Sequence, residues 1–156
     1  MNASSITKMP PRELAHALRD GAPVDVDRLA GADFRGVSLG LPRIVERLTW
    51  KTFKKSFRRA DDGGVSGFNV KVEGRRGTFG PYRVRAPHSD RECPFECPRG
   101  VILDYRPTHP TWHPMATVRD VLVAVDDSQN LFLGAMYLEL AGVRVRTPSF
   151  FTLERE

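Results

Sequence analysis

Two adjacent pairs of polar residues, Asp104-Tyr105 and Arg119-Asp120, stand out in this chain because of where they sit. They interrupt VILDYR and VRDVLVAV, segments otherwise made of Val, Ile, Leu and Ala. A charge carried into an apolar strand is costly unless it is paired and hydrogen-bonded. Arg119 therefore needs a carboxylate. Asp104 is the expected partner, because Asp120 is adjacent in sequence and adjacent strand residues point to opposite faces. Two roles fit such groups. The pair ties neighbouring strands together, or Arg119 and Tyr105 orient the polar head of a bound apolar molecule. Asp104 or Tyr105 could also act as an acid or base on such a molecule.

His109 and His113 flank Trp112 in RPTHPTWHPM, a stretch stiffened by Pro107, Pro110 and Pro114. A histidine near neutrality at a cavity mouth is a further acid–base candidate. Cys93-x3-Cys97 followed by His109-x3-His113 is a spacing to weigh for zinc, which takes four ligands. The simpler expectation is a Pro-rich loop with two reduced thiols and no metal. Lys51, Lys54, Lys55, Arg58 and Arg59 interleave with Phe53 and Phe57, as basic and aromatic residues do in single-stranded nucleic-acid grooves. An amphipathic strand with both rings on one face explains the same pattern, so nucleic-acid binding is not the expectation. Gly-x-Ser-x-Gly, His-Glu-x-x-His, P-loop and dinucleotide fingerprints are absent.

The elements that must position these residues are mostly strands. From Gly100 to Leu153, VILDYR, TVRDVLVAV, LFLGAMYLEL and VRVRTPSFFTL are separated by turn chemistry at Asp126–Asn130 and Ala141–Gly142, the pattern of four antiparallel strands. In the third segment from the end, Val118, Asp120, Leu122 and Ala124 share one face, and Arg119, Val121, Val123 and Val125 the other. Upstream, WKTFKKSFRRA, the turn ADDGGVSG and GFNVKVEG read as a hairpin, with Phe68, Val70 and Val72 as the apolar face. TFGPYRVRA follows, where Pro81 argues for an edge or a bulge. FRGVSLG precedes, and short helices are expected over Arg12–Arg19 and within Pro42–Trp50. Residues 1–9 read as a loose arm, and 87–99 as a long loop. The count is about eight short strands, which suggests a barrel or sandwich.

A chain of 156 residues, 40% apolar and 28% charged with net charge +5, suits one soluble globular unit. Its N-terminus lacks the apolar core of a signal peptide and no run is long enough to span a bilayer, so a cytoplasmic location is the expectation. We divide it into an N-terminal arm with a short helix, 1–28, and a barrel domain, 29–156.

LAGADFRG (Leu29 to Gly36), RLTWKTFKKSF, and the succession VILDYR, VRDVLVAV, LFLGAMYLEL and SFFTLE resemble lipocalin-like, calycin-type small barrels, a largely uncharacterised bacterial group. The chain departs from that group where Val121 follows Arg-Asp in place of Glu. The resemblance implies an antiparallel up-and-down barrel with a ligand cavity. Its walls would come from Phe53, Phe57, Phe68, Leu103, Leu122, Tyr137 and Phe151, with Tyr105 and Arg119 as polar contacts. The function expected is binding of a small hydrophobic molecule, a lipid or lipophilic metabolite. The rivals are an isomerase- or cyclase-type enzyme in the same cavity, using Asp104, Tyr105, His109 or His113, and a basic surface module for an acidic partner. No cofactor is expected, and no oligomeric state is read from the chain.

Overall fold

The alternation in these segments has a single geometric outcome. A computed structural model of the protein describes residues 2–39, 52–72 and 77–156. Its strands are β1 (Asp33–Leu39), β2 (Thr52–Arg59), β3 (Val65–Lys71), β4 (Thr78–Arg85), β5 (Val101–Asp104), β6 (Val118–Ala124), β7 (Leu131–Leu140) and β8 (Val143–Arg155). Each pairs antiparallel with the next, and β8 returns to pair with β1, closing an eight-stranded barrel. This closed antiparallel barrel is consistent with the lipocalin-like architecture expected. Closure removes every sheet edge, so Pro81 sits at an irregularity rather than an edge. The β3–β4 register shifts between Gly67 and Asn69, beside Gly80 with φ +53°. The last hairpin turns on Ala141 and Gly142, both at positive φ, as a two-residue primed turn requires.

Strands β5 to β7 carry apolar residues on both faces because both faces are covered. Inside the barrel, Phe34, Phe57, Tyr82, Leu103, Leu122 and Phe132 pack together. Outside, Ile102, Val121, Val123, Leu133, Ala135 and Tyr137 form a second core. Its cover comes from helix α1 (Ala3–Ile6), helix α2 (Pro11–Asp20) and the Cys93–Cys97 loop. The expected loose arm is thus an ordered element. Asn2 caps α1, and Ile6 is fully buried beneath it. Helix α2 follows its sequence signal, with Pro11 at its start and Leu14 and Leu18 buried on one face. No helix among the described residues is long and apolar enough to cross a membrane.

The loop also corrects the expectation of two reduced thiols. Glu96 at φ +59° and the Glu96 N–H donated to Cys93 O (3.0 Å) turn the chain tightly. That brings the two cysteine Cα atoms to 6.0 Å, and Cys93 and Cys97 are joined as a disulfide. The helix expected within 42–50 lies outside the described residues.

Among the described residues, the barrel is packed at one end and borders a cavity at the other. At the filled end, Ala22 bridges to Ala124, and Val24, helix α3 (Val26–Leu29) and Ala32 pack onto Phe34 and the inner cluster. Phe34 meets Phe57 and Phe132 edge-on, with ring centroids 5.6 and 5.4 Å apart. The other end, where β1 and β3 finish and β2 and β8 begin, holds the cavity described next.

Candidate functional site

Three cross-strand pairs set an aromatic residue opposite a glycine: Gly36 with Phe53, Gly67 with Tyr82 and Gly134 with Phe151. A Cβ at any of these glycines would collide with the facing ring. The rings therefore lie down over the bare backbone and leave room in the middle of the barrel. Lys55 enters that room from β2. Strand alternation puts it on the same inward face as Phe53 and Phe57. Its ammonium lies 5.0 Å from the Tyr82 ring centroid, 5.4 Å from Phe151, 5.5 Å from Tyr105 and 5.6 Å from Phe53. Such an aromatic surround favours a cation.

Lys55 is 2% exposed, so its charge must be compensated locally. Nζ donates to Asn69 Oδ1 at 2.8 Å, to Tyr105 OH at 2.8 Å and to Asp120 Oδ2 at 2.9 Å. An ammonium has three protons, and all three are used. Tyr105 OH in turn donates to Asp120 Oδ2 at 2.9 Å. Burial, and then the Asp120 charge, push the Tyr105 hydroxyl well above its ordinary pKa, so it stays a donor. Asn69 Nδ2 donates to Gly80 O at 3.0 Å and lies 3.3 Å from Tyr105 OH. The bulge at Gly80 thus anchors the amide that orients the lysine.

This cluster borders a cavity of about 410 Å³. Ser38, Phe53, Lys55, Asn69, Phe79, Tyr105, Met115, Val118, Asp120, Met136, Ser149 and Phe151 line it. The walls are aromatic, thioether and aliphatic, with the polar groups gathered around Lys55 and two serines on the β1 and β8 sides. The volume lies within the range typical of small-molecule sites.

The expected wall residues divide. Phe53, Tyr105 and Phe151 line the cavity. Phe57, Leu103 and Leu122 belong to the inner core and not to the cavity lining. Phe68 is corrected. The inward face of β3 is Val65, Gly67 and Asn69, which are buried, while Phe68 is half-buried with the Arg58 guanidinium 5.9 Å from its ring. The reason is the company Gly67 and Asn69 keep: one makes room for Tyr82, the other bonds Lys55. Tyr137 is also corrected, because it packs in the outer core.

Arg119 and Asp104 form the expected ion pair, Nε 3.0 Å from Oδ1 but without hydrogen-bond geometry, on the outer face of β6. Arg119 Nη1 donates to Ala116 O and Val118 O at 2.9 and 2.7 Å. Asp104 Oδ2 accepts from Arg85 Nε at 2.8 Å, and Arg85 forks onto Glu92 at 2.6 and 3.1 Å. Burial alone would raise the Glu92 carboxyl, but the Arg85 fork and the His88 N–H outweigh it and hold it below its ordinary value. This network ties β4, β5 and β6 to the disulfide loop.

His109 and His113 stack on each other, ring centroids 5.0 Å apart, and neither lines the cavity. His109 Nδ1 lies 2.8 Å from Tyr105 O, so that nitrogen donates its proton to the carbonyl. His113 Nδ1 instead accepts from the Met115 N–H at 3.1 Å. Both rings brace the loop that carries Met115. Among the described residues of the basic stretch, Lys54 pairs with Glu156, Arg58 with Asp33 and Arg59 with Asp27, and Lys55 is inside.

Lys55 was not singled out from sequence, though a signal for it existed. If Phe53 and Phe57 face inward, so does the residue midway between them. Asn69 left no such mark, because Phe68 and Val70 beside it read as the apolar face. No family model matches the chain, and no curated protein matches it.

Proposed function

We propose that the protein binds a small, largely apolar molecule in the hollow half of the barrel. The observation that carries this reading is the cavity of about 410 Å³ walled by Phe53, Phe79, Met115, Val118, Met136 and Phe151, beside a filled half that shows the sequence can close a barrel when it needs to. Mostly apolar walls with a few convergent polar groups are the usual composition of a ligand site. The two methionines suit an irregular guest, since thioether chains repack readily. The pairing of Lys54, Arg58 and Arg59 does not favour the basic-module reading, and the positions of Asp104, His109 and His113 away from the cavity weigh against their use as acid or base on a guest.

The test is a filled cavity. Ser149→Phe adds a ring to the lining at a position that supports no part of the Lys55 cluster. Wild-type protein is expected to brighten and blue-shift the neutral fluorophore N-phenyl-1-naphthylamine, with the signal lost in Ser149→Phe at a similar Tm. Equal signals from both proteins would place the probe elsewhere and contradict the reading.

A further inference from the structure

We propose that the molecule held in the cavity is uncharged and presents a hydrogen-bond donor, a hydroxyl or N–H, to Asp120, and that carboxylates such as free fatty acids are disfavoured. This rests on the reading that the cavity takes a ligand. It follows from counting the hydrogen-bonding capacity of the inner cluster. A buried lysine under aromatic rings would ordinarily suggest an anion site. Here its three protons are already given to Asn69, Tyr105 and Asp120. The single Tyr105 proton goes to Asp120 Oδ2, and the Asn69 amide faces Gly80 O and Tyr105 OH. Every donor in the cluster is committed.

What remains is an acceptor. Asp120 Oδ2 takes two hydrogen bonds, while Oδ1 receives none from any described residue. Asp120 lines the cavity and its side chain keeps 7% of its surface. Among the described residues the fully buried side-chain atoms without a partner are Arg119 Nε and Tyr137 OH, so Oδ1 is not sealed away. A carboxylate guest would bring acceptors to an acceptor. A cationic guest would gain little, because Lys55 already neutralises Asp120 at 2.9 Å and would repel a second positive charge. A neutral donor meets neither penalty. The serine hydroxyls on the far wall can donate or accept, and so do not select on charge. At about 30 Å³ per water-sized atom, the cavity holds on the order of 14 heavy atoms.

Four naphthalenes of that size separate the possibilities by isothermal titration calorimetry on the wild-type chain. They are naphthalene, 2-naphthol, 2-methoxynaphthalene and 2-naphthoate. The expected order is 2-naphthol at least tenfold tighter than its methyl ether, the ether and the hydrocarbon weak but measurable, and naphthoate weakest. If the ether matches 2-naphthol, or naphthoate binds as well as 2-naphthol, the donor rule is overturned while the cavity reading stands. If none of the four binds, the cavity reading falls and the donor rule with it.

Discussion

Two buried ionic networks sit back to back on β6, separated by the thickness of one strand. Arg119 points out and Asp120 points in. The outer network is closed at its carboxylates: Asp104 holds Arg85, the Arg106 N–H and the Arg119 charge, and Glu92 holds Arg85 and the His88 N–H, while Arg119 Nε is left without a hydrogen bond but sealed from solvent. The inner one is nearly closed, with Lys55 fully spent and one Asp120 oxygen left over beside a cavity. The difference distinguishes a joint from a site. Burial and pairing are common to both, and capacity left facing an empty space belongs to one.

The comparison breaks most sharply at its two cations. Lys55→Met leaves Asp120 buried with only Tyr105 as a partner, at a cost of about 3–5 kcal/mol. That corresponds to a Tm drop of roughly 6–20 °C at this chain length. Thermal melts of the variant beside the wild type read this loss directly.

Arg119→Met should cost less, about 1–3 kcal/mol, because Asp104 keeps Arg85 and the Arg106 N–H while two carbonyls lose a donor. Its affinity for 2-naphthol should stay within twofold of wild type. An equal or larger loss than Lys55→Met in urea titrations would mean the outer network is not closed as described.

A third handle is pH. Glu92 titrates below its ordinary value, so its contribution is complete above the unfolded-chain pKa of about 4.3 and is lost as pH falls through its depressed folded value. Glu92→Gln should flatten the acid limb of the stability profile. An unchanged limb would assign acid sensitivity to other carboxylates.

The smallest effect is expected at Tyr137. Its buried hydroxyl has no partner among the described residues, and burial pushes its pKa up. Tyr137→Phe removes that unpaired group and should be neutral or stabilising, by up to about 1 kcal/mol. A clear destabilisation in urea titrations would show that the hydroxyl has a partner.

Much of this was legible in the sequence, for physical reasons that also explain the misses. The strands β5 to β8 were readable because turn residues separate them. The faces of β6 were readable because a strand can divide its side chains in only one way. Where both faces are apolar, inside and outside cannot be told apart by composition, and Tyr137 was assigned inward on that account. On β3 the inward face carries glycine and asparagine while the outward face carries Phe68 and Val70, so hydrophobicity inverted the assignment. Lys55 was hidden by charge: a lysine among lysines and arginines reads as surface. The ordered helix α1 is short enough that only the apolar outer faces it covers make it worth forming.

The most direct measurement is a crystal structure of the protein with 2-naphthol bound. The account predicts the naphthalene among Phe53, Met136 and Phe151, with its hydroxyl about 2.7 Å from Asp120 Oδ1 and the Lys55 hydrogen bonds unchanged. A hydroxyl turned away from Asp120, a ring bound outside the barrel, or a lysine that leaves Asp120 to meet the ligand would contradict it.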